Sequence, residues 1–155
     1  GGNTLLEIVK LDRKYCDALA SILSADASLH KFLSPNQVMS EIFGDDYYNG
    51  CLDWEAKMDG HNFCILYNKV PIGSIAYVHK DAETASVGIW ISSEYWNKGL
   101  GTQILKIFKK MVKENGYMYL TGTIQKWNPR SKRTCEKCGA TFKEDENKWY
   151  LTFIL

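Results

Sequence analysis

Apolar and polar residues alternate along some stretches of this chain and recur every three to four residues along others. The changes of period divide it into elements. Residues 5–11 alternate as a first strand. Residues 12–24 place Tyr15, Leu19, Ile22 and Leu23 at helical spacing. Ser34-Pro35-Asn36-Gln37 predicts the start of a second helix: Ser34 caps, Pro35 suits the first helical position and Gln37 completes a capping box. Val38, Met39 and Ile42 would be its apolar face. Tyr47, Cys51, Trp54 and Met58 continue the spacing, and Gly60 is expected to end it. Strands are predicted over 62–67 and 72–79, separated by Asn68-Lys69-Val70-Pro71, with a third ending at Ile91. Residues 102–115 carry Ile104, Leu105, Phe108, Met111 and Val112 on one helical face. A strand over 117–124, a short helix over 128–138 and a hairpin of 140–143 with 148–155 complete the order βααβββαβαββ. No repeat, linker or low-complexity tract interrupts it, so residues 1–155 read as one domain. Gly1 and Gly2 read as a scar of expression.

Between the strand at Ile91 and the helix from Thr102 lies Tyr95-Trp96-Asn97-Lys98-Gly99-Leu100-Gly101-Thr102. Two glycines spaced G-x-G before a helix let backbone approach a ligand closely, and the first helical N–H groups then face it. Such an arrangement binds phosphate. An ordinary glycine turn is the alternative. The P-loop signature is absent, and the dinucleotide fingerprint does not fit, because the second glycine is followed by Ile104 and the turn lies late in the chain.

The loop resembles the pyrophosphate loop of the GNAT N-acetyltransferases, and its Tyr-Trp-x-Lys-Gly-x-Gly-Thr form is similar to the branch of ribosomal-protein N-terminal acetyltransferases. The resemblance continues in Asn128-Pro129-Arg130-Ser131 and Cys135-Glu136-Lys137-Cys138-Gly139, and is strongest over residues 83–143. It implies an α/β (α+β) GNAT fold: a central mixed, twisted sheet of about seven strands flanked by about four helices. It also implies acetyl-CoA as co-substrate and a primary-amine acceptor, small molecule or peptide. Cofactor contacts are implied at Ile89, Trp90 and Ile91, where backbone groups left unpaired by diverging strands would meet pantetheine. Further contacts are implied at Asn97, Lys98, Gly99, Leu100, Gly101 and Thr102 around the pyrophosphate, and at Asn128, Ser131 and Lys137. Asn128 and Ser131 are the implied catalytic pair, Ser131 serving the departing thiolate. Locally, Asn128 is also a good helix N-cap before Pro129, and Ser131 fits a solvent-facing first turn.

Three positions depart from the family pattern. Trp96 stands where a Gln or Arg is usual, Cys135 where many members place a tyrosine, and Ser86 where many place a strand glutamate. The general base is therefore open: Glu83 is a weak candidate, His79, Tyr77 and Tyr150 are others by strand order, and a water relay is an alternative. These departures motivate a second expectation, a non-catalytic CoA-binding or regulatory module.

The chain has 155 residues, 45% of them apolar, and a formal net charge of +1. This composition is globular, and no apolar run reaches the roughly 18 residues that span a bilayer. No signal peptide is visible, and with five cysteines and no small-scaffold framework, reduced thiols and a cytoplasmic location are expected. Charge is segregated. Over residues 41–60, Glu41, Asp45, Asp46, Asp53, Glu55 and Asp59 face Lys57 alone, for a net of −5. Over residues 98–143, eleven Lys and Arg face Glu114 and Glu136, for a net of +9. An anionic cofactor on the basic segment and a cationic acceptor on the acidic one would account for both, as would solvated helix faces. Asp45, Asp46, Tyr48 and Trp54 are the acceptor-binding candidates, simple helix packing being the alternative for the aromatics.

No metal is expected. Cys135-x-x-Cys138 lacks a second ligand pair for zinc, and it lies at a helix end, whereas redox motifs open a helix. Nucleic acid is not expected as a partner, because the bases are spread over two helices without clustered exposed aromatics. No membrane partner is expected. GNAT proteins are often homodimers, though no residue here indicates one.

Overall fold

The computed structural model describes residues 5–155; the Gly1-Gly2 expectation lies outside the described residues. Seven strands form one mixed sheet in the order β1-β2-β3-β4-β5-β7-β6, accompanied by five helices. The chain gathers into two compact units, residues up to Ala76 with 89–96, and 77–88 with 97–155.

In the first unit, β1 (Leu6–Lys10) pairs antiparallel with β2 (Gly60–Tyr67), from Leu6↔Tyr67 to Lys10↔Phe63. Between them run α1 (Arg13–Ala25), α2 (Ala27–Leu33) and α3 (Gly44–Met58). Asp12 caps α1 through the N–H of Lys14 at 3.0 Å. Cys16, Leu19 and Ala20, at helical spacing, are buried. Cys16 and Leu19, with Leu11, Cys64 and Leu66, seed a core against which Tyr15, Ile22, Tyr47, Tyr48, Cys51 and Trp90 pack.

Two expectations are corrected here. The helix predicted to start at Ser34-Pro35-Asn36-Gln37 does not form. Ser34 instead closes α2, its N–H donating to the carbonyl of His30 at 2.8 Å, and the N–H of Gln37 turns back to the carbonyl of Ser34 at 3.1 Å. Val38, expected on an apolar face, is 94% exposed. The segment that follows has no regular secondary structure and is pinned at Ile42, whose N–H donates to Ser24 Oγ at 2.7 Å, while that hydroxyl donates to the Ala20 carbonyl at 2.8 Å. The described residues thus form five helices, in keeping with the expected number of about four. Finally, α3 ends at Asp59, which takes the left-handed conformation (φ 53°) assigned to Gly60. Gly60 is needed for space: a Cβ there would lie 2.5 Å from the ring of Trp54.

β3 (Val70–His79) follows β2 through the two residues Asn68 and Lys69, both at positive φ, a tight hairpin rather than the four-residue connection expected. In the second unit, β4 (Thr84–Ile91) begins by pairing in parallel with β5 (Tyr119–Gln125), and that ladder ends at Ser86↔Thr121. β5 pairs along its length with β7 (Lys148–Ile154), and β7 with the edge strand β6 (Thr141–Glu144), both antiparallel. α4 (Leu100–Glu114) buries Leu100, Ile104, Leu105, Phe108 and Val112, and α5 (Pro129–Lys137) buries Cys135.

Candidate functional site

In the first unit, the end of β4 leads into a segment in which Ser92, Ser93, Tyr95 and Trp96 each have a partner. Ser92 donates its N–H to the carbonyl of Ile72 at 2.8 Å. Ser93 opens a short 3-10 turn ending at Tyr95, whose ring packs against Tyr67 at 5.6 Å with the two planes tilted by 60°. Trp96 sets its ring edge-on to Phe32 at 5.2 Å, and its indole N–H donates to the carbonyl of Ile91 at 2.8 Å. This last bond corrects one expectation: the Ile91 carbonyl is not left unpaired for a ligand. It also explains what Trp96 does where the family has Gln or Arg. Trp90 packs its side chain into the core cluster, so it offers a ligand backbone only.

In the second unit, Asn97 (φ 61°) and Gly99 (φ 77°) are both left-handed, and they turn the chain into α4. Asparagine tolerates that region better than most residues, and glycine does so freely. Among the described residues no side chain caps α4. Its first N–H groups have no intrahelical partner, and they carry the positive end of the helix dipole. Asn97, Lys98 and Gly99 are exposed, whereas Leu100 is buried and contributes only its N–H. A Cβ on Gly101 would lie 3.1 Å from Thr134 Cγ2, so glycine lets α4 and α5 approach closely. The Thr102 carbonyl accepts from Cys138 Sγ at 3.6 Å.

α5 brings Asn128 and Ser131 together. Asn128 Oδ1 accepts the N–H of Ser131 at 3.3 Å, with Pro129 in the first helical turn. The cap expected from sequence is thus formed, and it engages one end of the Asn128 amide. Ser131 is half-buried. Cys135 lies one turn on, buried, and desolvation pushes its thiol up to about 12. Lys137 is exposed at the opposite end of α5.

The base candidates are scattered. Ser86 is half-buried and presents no carboxylate. Glu83 sits in an exposed turn, where its carbonyl accepts the N–H groups of Met118 (2.8 Å) and Tyr119 (3.0 Å). It precedes β4, roughly 25 Å along the strand from Ile91. His79 Nδ1 lies 2.8 Å from Tyr117 Oη, and Tyr77 is buried against Phe108 and Tyr117. Tyr150 donates to Asp145 Oδ2 at 2.6 Å.

The acceptor candidates divide over α3. Asp45 and Asp46 are exposed in its first turn, but Asp45 Oδ1 accepts from Arg13 Nε at 2.7 Å, and Arg13 also meets Asp17 at 3.1 Å. Tyr48 packs on the core cluster, and Trp54 covers Gly60. No group of three or more His, Cys, Asp or Glu among the described residues could hold a metal ion, and no described helix is long and apolar enough to cross a membrane. Sequence reasoning passed over Asp26, which joins α1 to α2 and bonds Ser93; its signal was an Asp before Ala27-Ser28-Leu29, a helix-start pattern.

Residues 6–141 match the family model described as an acetyltransferase (GNAT) domain. No curated protein matches the chain in sequence. Solved structures with a similar fold include RimL, a ribosomal L7/L12 alpha-N-protein acetyltransferase in complex with coenzyme A (14% identity, TM-score 0.79, covering 97% of this chain and 94% of that one). Another is aminoglycoside acetyltransferase AAC(6')-Ib in complex with coenzyme A and kanamycin (13%, TM-score 0.78, covering 97% and 95%). A third is spermidine N-acetyltransferase from Vibrio cholerae in complex with CoA and spermine (12%, TM-score 0.77, covering 96% and 95%). At these identities the likeness is one of fold.

Proposed function

The chain belongs to the GNAT family of acetyltransferases and has its fold, and we propose that it moves the acetyl group of acetyl-CoA to a primary amine by direct attack in a ternary complex. The acceptor is a small cationic molecule or a protein N-terminus. One observation carries this reading: the left-handed turn at Asn97 and Gly99 that opens α4 without a side-chain cap. A pyrophosphate suits such a terminus, because unpaired N–H groups and the helix dipole both favour negative charge there. Gly99, Leu100, Gly101 and Thr102 offer backbone, and Asn97 and Lys98 add side chains. Ile89 and Trp90 offer β4 backbone to pantetheine amides, as an added strand would. Lys137 supplies a charge contact at the other end of α5.

When bound, acetyl-CoA supplies an activated thioester. Asn128 has its carbonyl oxygen in the cap, which leaves its amide nitrogen as the donor it can offer the cofactor. The Ser131 hydroxyl donates a hydrogen bond to the departing thiolate, which takes its proton from solvent. Cys135 takes no part, because its thiol is buried away from the open face of α5. With no carboxylate at Ser86, the amine loses its proton through water to bulk solvent. Asp46 and Tyr48 are the acceptor-side contacts, Asp45 being shared with Arg13; Trp54 and Asp53 extend the same acidic helix. The relatives that bind spermine or kanamycin, or are named for an N-terminal protein substrate, support a basic amine as acceptor. On this reading both compact units belong to one acetyltransferase domain.

The test is to incubate the protein with acetyl-CoA and, in turn, spermine, kanamycin and a peptide with a free N-terminus, following acetylated product by mass spectrometry and release of the coenzyme thiol. Product with at least one amine is expected. Tight acetyl-CoA binding with no product across a broad amine panel would favour a non-catalytic CoA-binding module, the second reading, which Ser86 and the buried Cys135 motivate.

A further inference from the structure

Asp26 stands where two helices meet. Its N–H donates to the carbonyl of Ile22 at 2.9 Å, closing α1, and its Oδ1 accepts the N–H of Leu29 at 3.0 Å, opening α2. A helix cap needs no more than this, and a serine would serve as well. The Asp26 carboxylate does more. Oδ2 accepts the N–H of Ser93 at 2.7 Å, and Oδ1 accepts the Ser93 hydroxyl at 2.7 Å, across 67 residues of sequence. These are short, charge-assisted bonds in a partly buried setting. Burial raises the Asp26 carboxyl, and the hydrogen bonds from Ser93, Leu29 and Ser28 outweigh it, holding the group below its ordinary value and ionised.

Ser93 begins the segment that enters the candidate cofactor loop, and α2 grips that segment at both ends. Asp26, before its first turn, holds Ser93, and Phe32, in its last turn, meets Trp96 at 5.2 Å. The next residue, Asn97, is left-handed. We infer that Asp26 is a positioning residue for cofactor binding: acting through Ser93, it fixes the path by which the chain enters the Asn97–Gly99 turn. This rests on reading that turn as the pyrophosphate loop.

Calorimetry with coenzyme A as the probe, on wild type, Asp26→Ser, Ser93→Ala and the double variant, tests it. Asp26→Ser keeps a capping hydroxyl for Leu29 but is too short to reach Ser93. Each single variant is expected to weaken coenzyme A binding about fivefold, less than the full worth of a hydrogen bond to a charged group because the loss reaches the loop indirectly. The double variant should be no weaker than the weaker single, because the two changes remove one interaction. Ser93→Thr, which keeps both donors, should bind as wild type does. Unchanged affinity in both single variants, with or without a lower unfolding temperature, would overturn the role of Asp26 and leave the loop reading standing. Failure of the wild type to bind coenzyme A would remove the loop reading and this inference together.

Discussion

Residues 92–102 and the acidic first turn of α3 both carry candidate ligand contacts, and they are built in opposite ways. In the first, what a ligand would meet is backbone conformation. Two left-handed residues, an uncapped helix start and a glycine beside Thr134 present N–H groups, and the preceding segment is fixed by Ile72, Asp26, Tyr67 and Phe32. In the second, side-chain charge on an exposed helix is all there is, and one of its two carboxylates already has a guanidinium partner. A backbone site tolerates few substitutions and selects a ligand by shape. A charged face in water tolerates many, and it selects weakly because salt and solvent screen it.

Substitution should expose the contrast. The largest effect is expected from Gly101→Asp, which puts a side chain where only 3.1 Å separates Cβ from Thr134 and a negative charge where a pyrophosphate would lie. Coenzyme A binding should weaken by more than about a hundredfold while circular dichroism stays unchanged. Normal affinity in the folded variant would remove the loop from the cofactor site. Ser131→Ala should lower kcat about tenfold or more, leaving the KM for acetyl-CoA within about twofold. The reverse pattern would make Ser131 a cofactor contact and nothing else.

Smaller effects belong to α3. Asp46→Asn should raise the KM for a cationic acceptor by about threefold at low salt, and Asp45→Asn by less, because Arg13 already offsets that charge. If neither substitution changes KM with a verified acceptor, the acidic turn is a solvated face. The smallest catalytic effect is expected from Cys135→Ala. Its thiol, pushed up to about 12 by burial, remains protonated at lower pH. The pH–rate profiles of variant and wild type should therefore superimpose from roughly pH 6 to 10, at a stability cost of about 1 kcal/mol. A missing limb in the variant profile would place that thiol in the chemistry.

The same contrast governs what could be read from the sequence. α4 was legible because Ile104, Leu105, Phe108 and Val112 keep one period and the glycines at 99 and 101 mark its start, and the hairpin of β6 and β7 because turn residues separate two alternating runs. The region from Asp26 to Phe43 was not. Ser34-Pro35 looks like a helix start, yet proline also commonly follows a helix end, so the local chemistry fits either side of Ser34. α2 was hidden because only Asp26 separates it from α1. Gly60 was taken for a helix stop when its role is to admit the ring of Trp54, a contact that no spacing encodes. The Trp96 bond to Ile91 and the Asp26 bonds to Ser93 are side-chain contacts set by tertiary placement, and periodicity is blind to them.

Calorimetric titration of acetyl-CoA into the wild-type protein, with ATP and NAD as controls, bears most directly on whether the turn at Asn97 and Gly99 is a cofactor loop. Micromolar binding of acetyl-CoA, about −8 kcal/mol, with little heat from either nucleotide, is the predicted result. No binding, or equal binding of all three, would contradict it and leave the GNAT likeness a matter of fold.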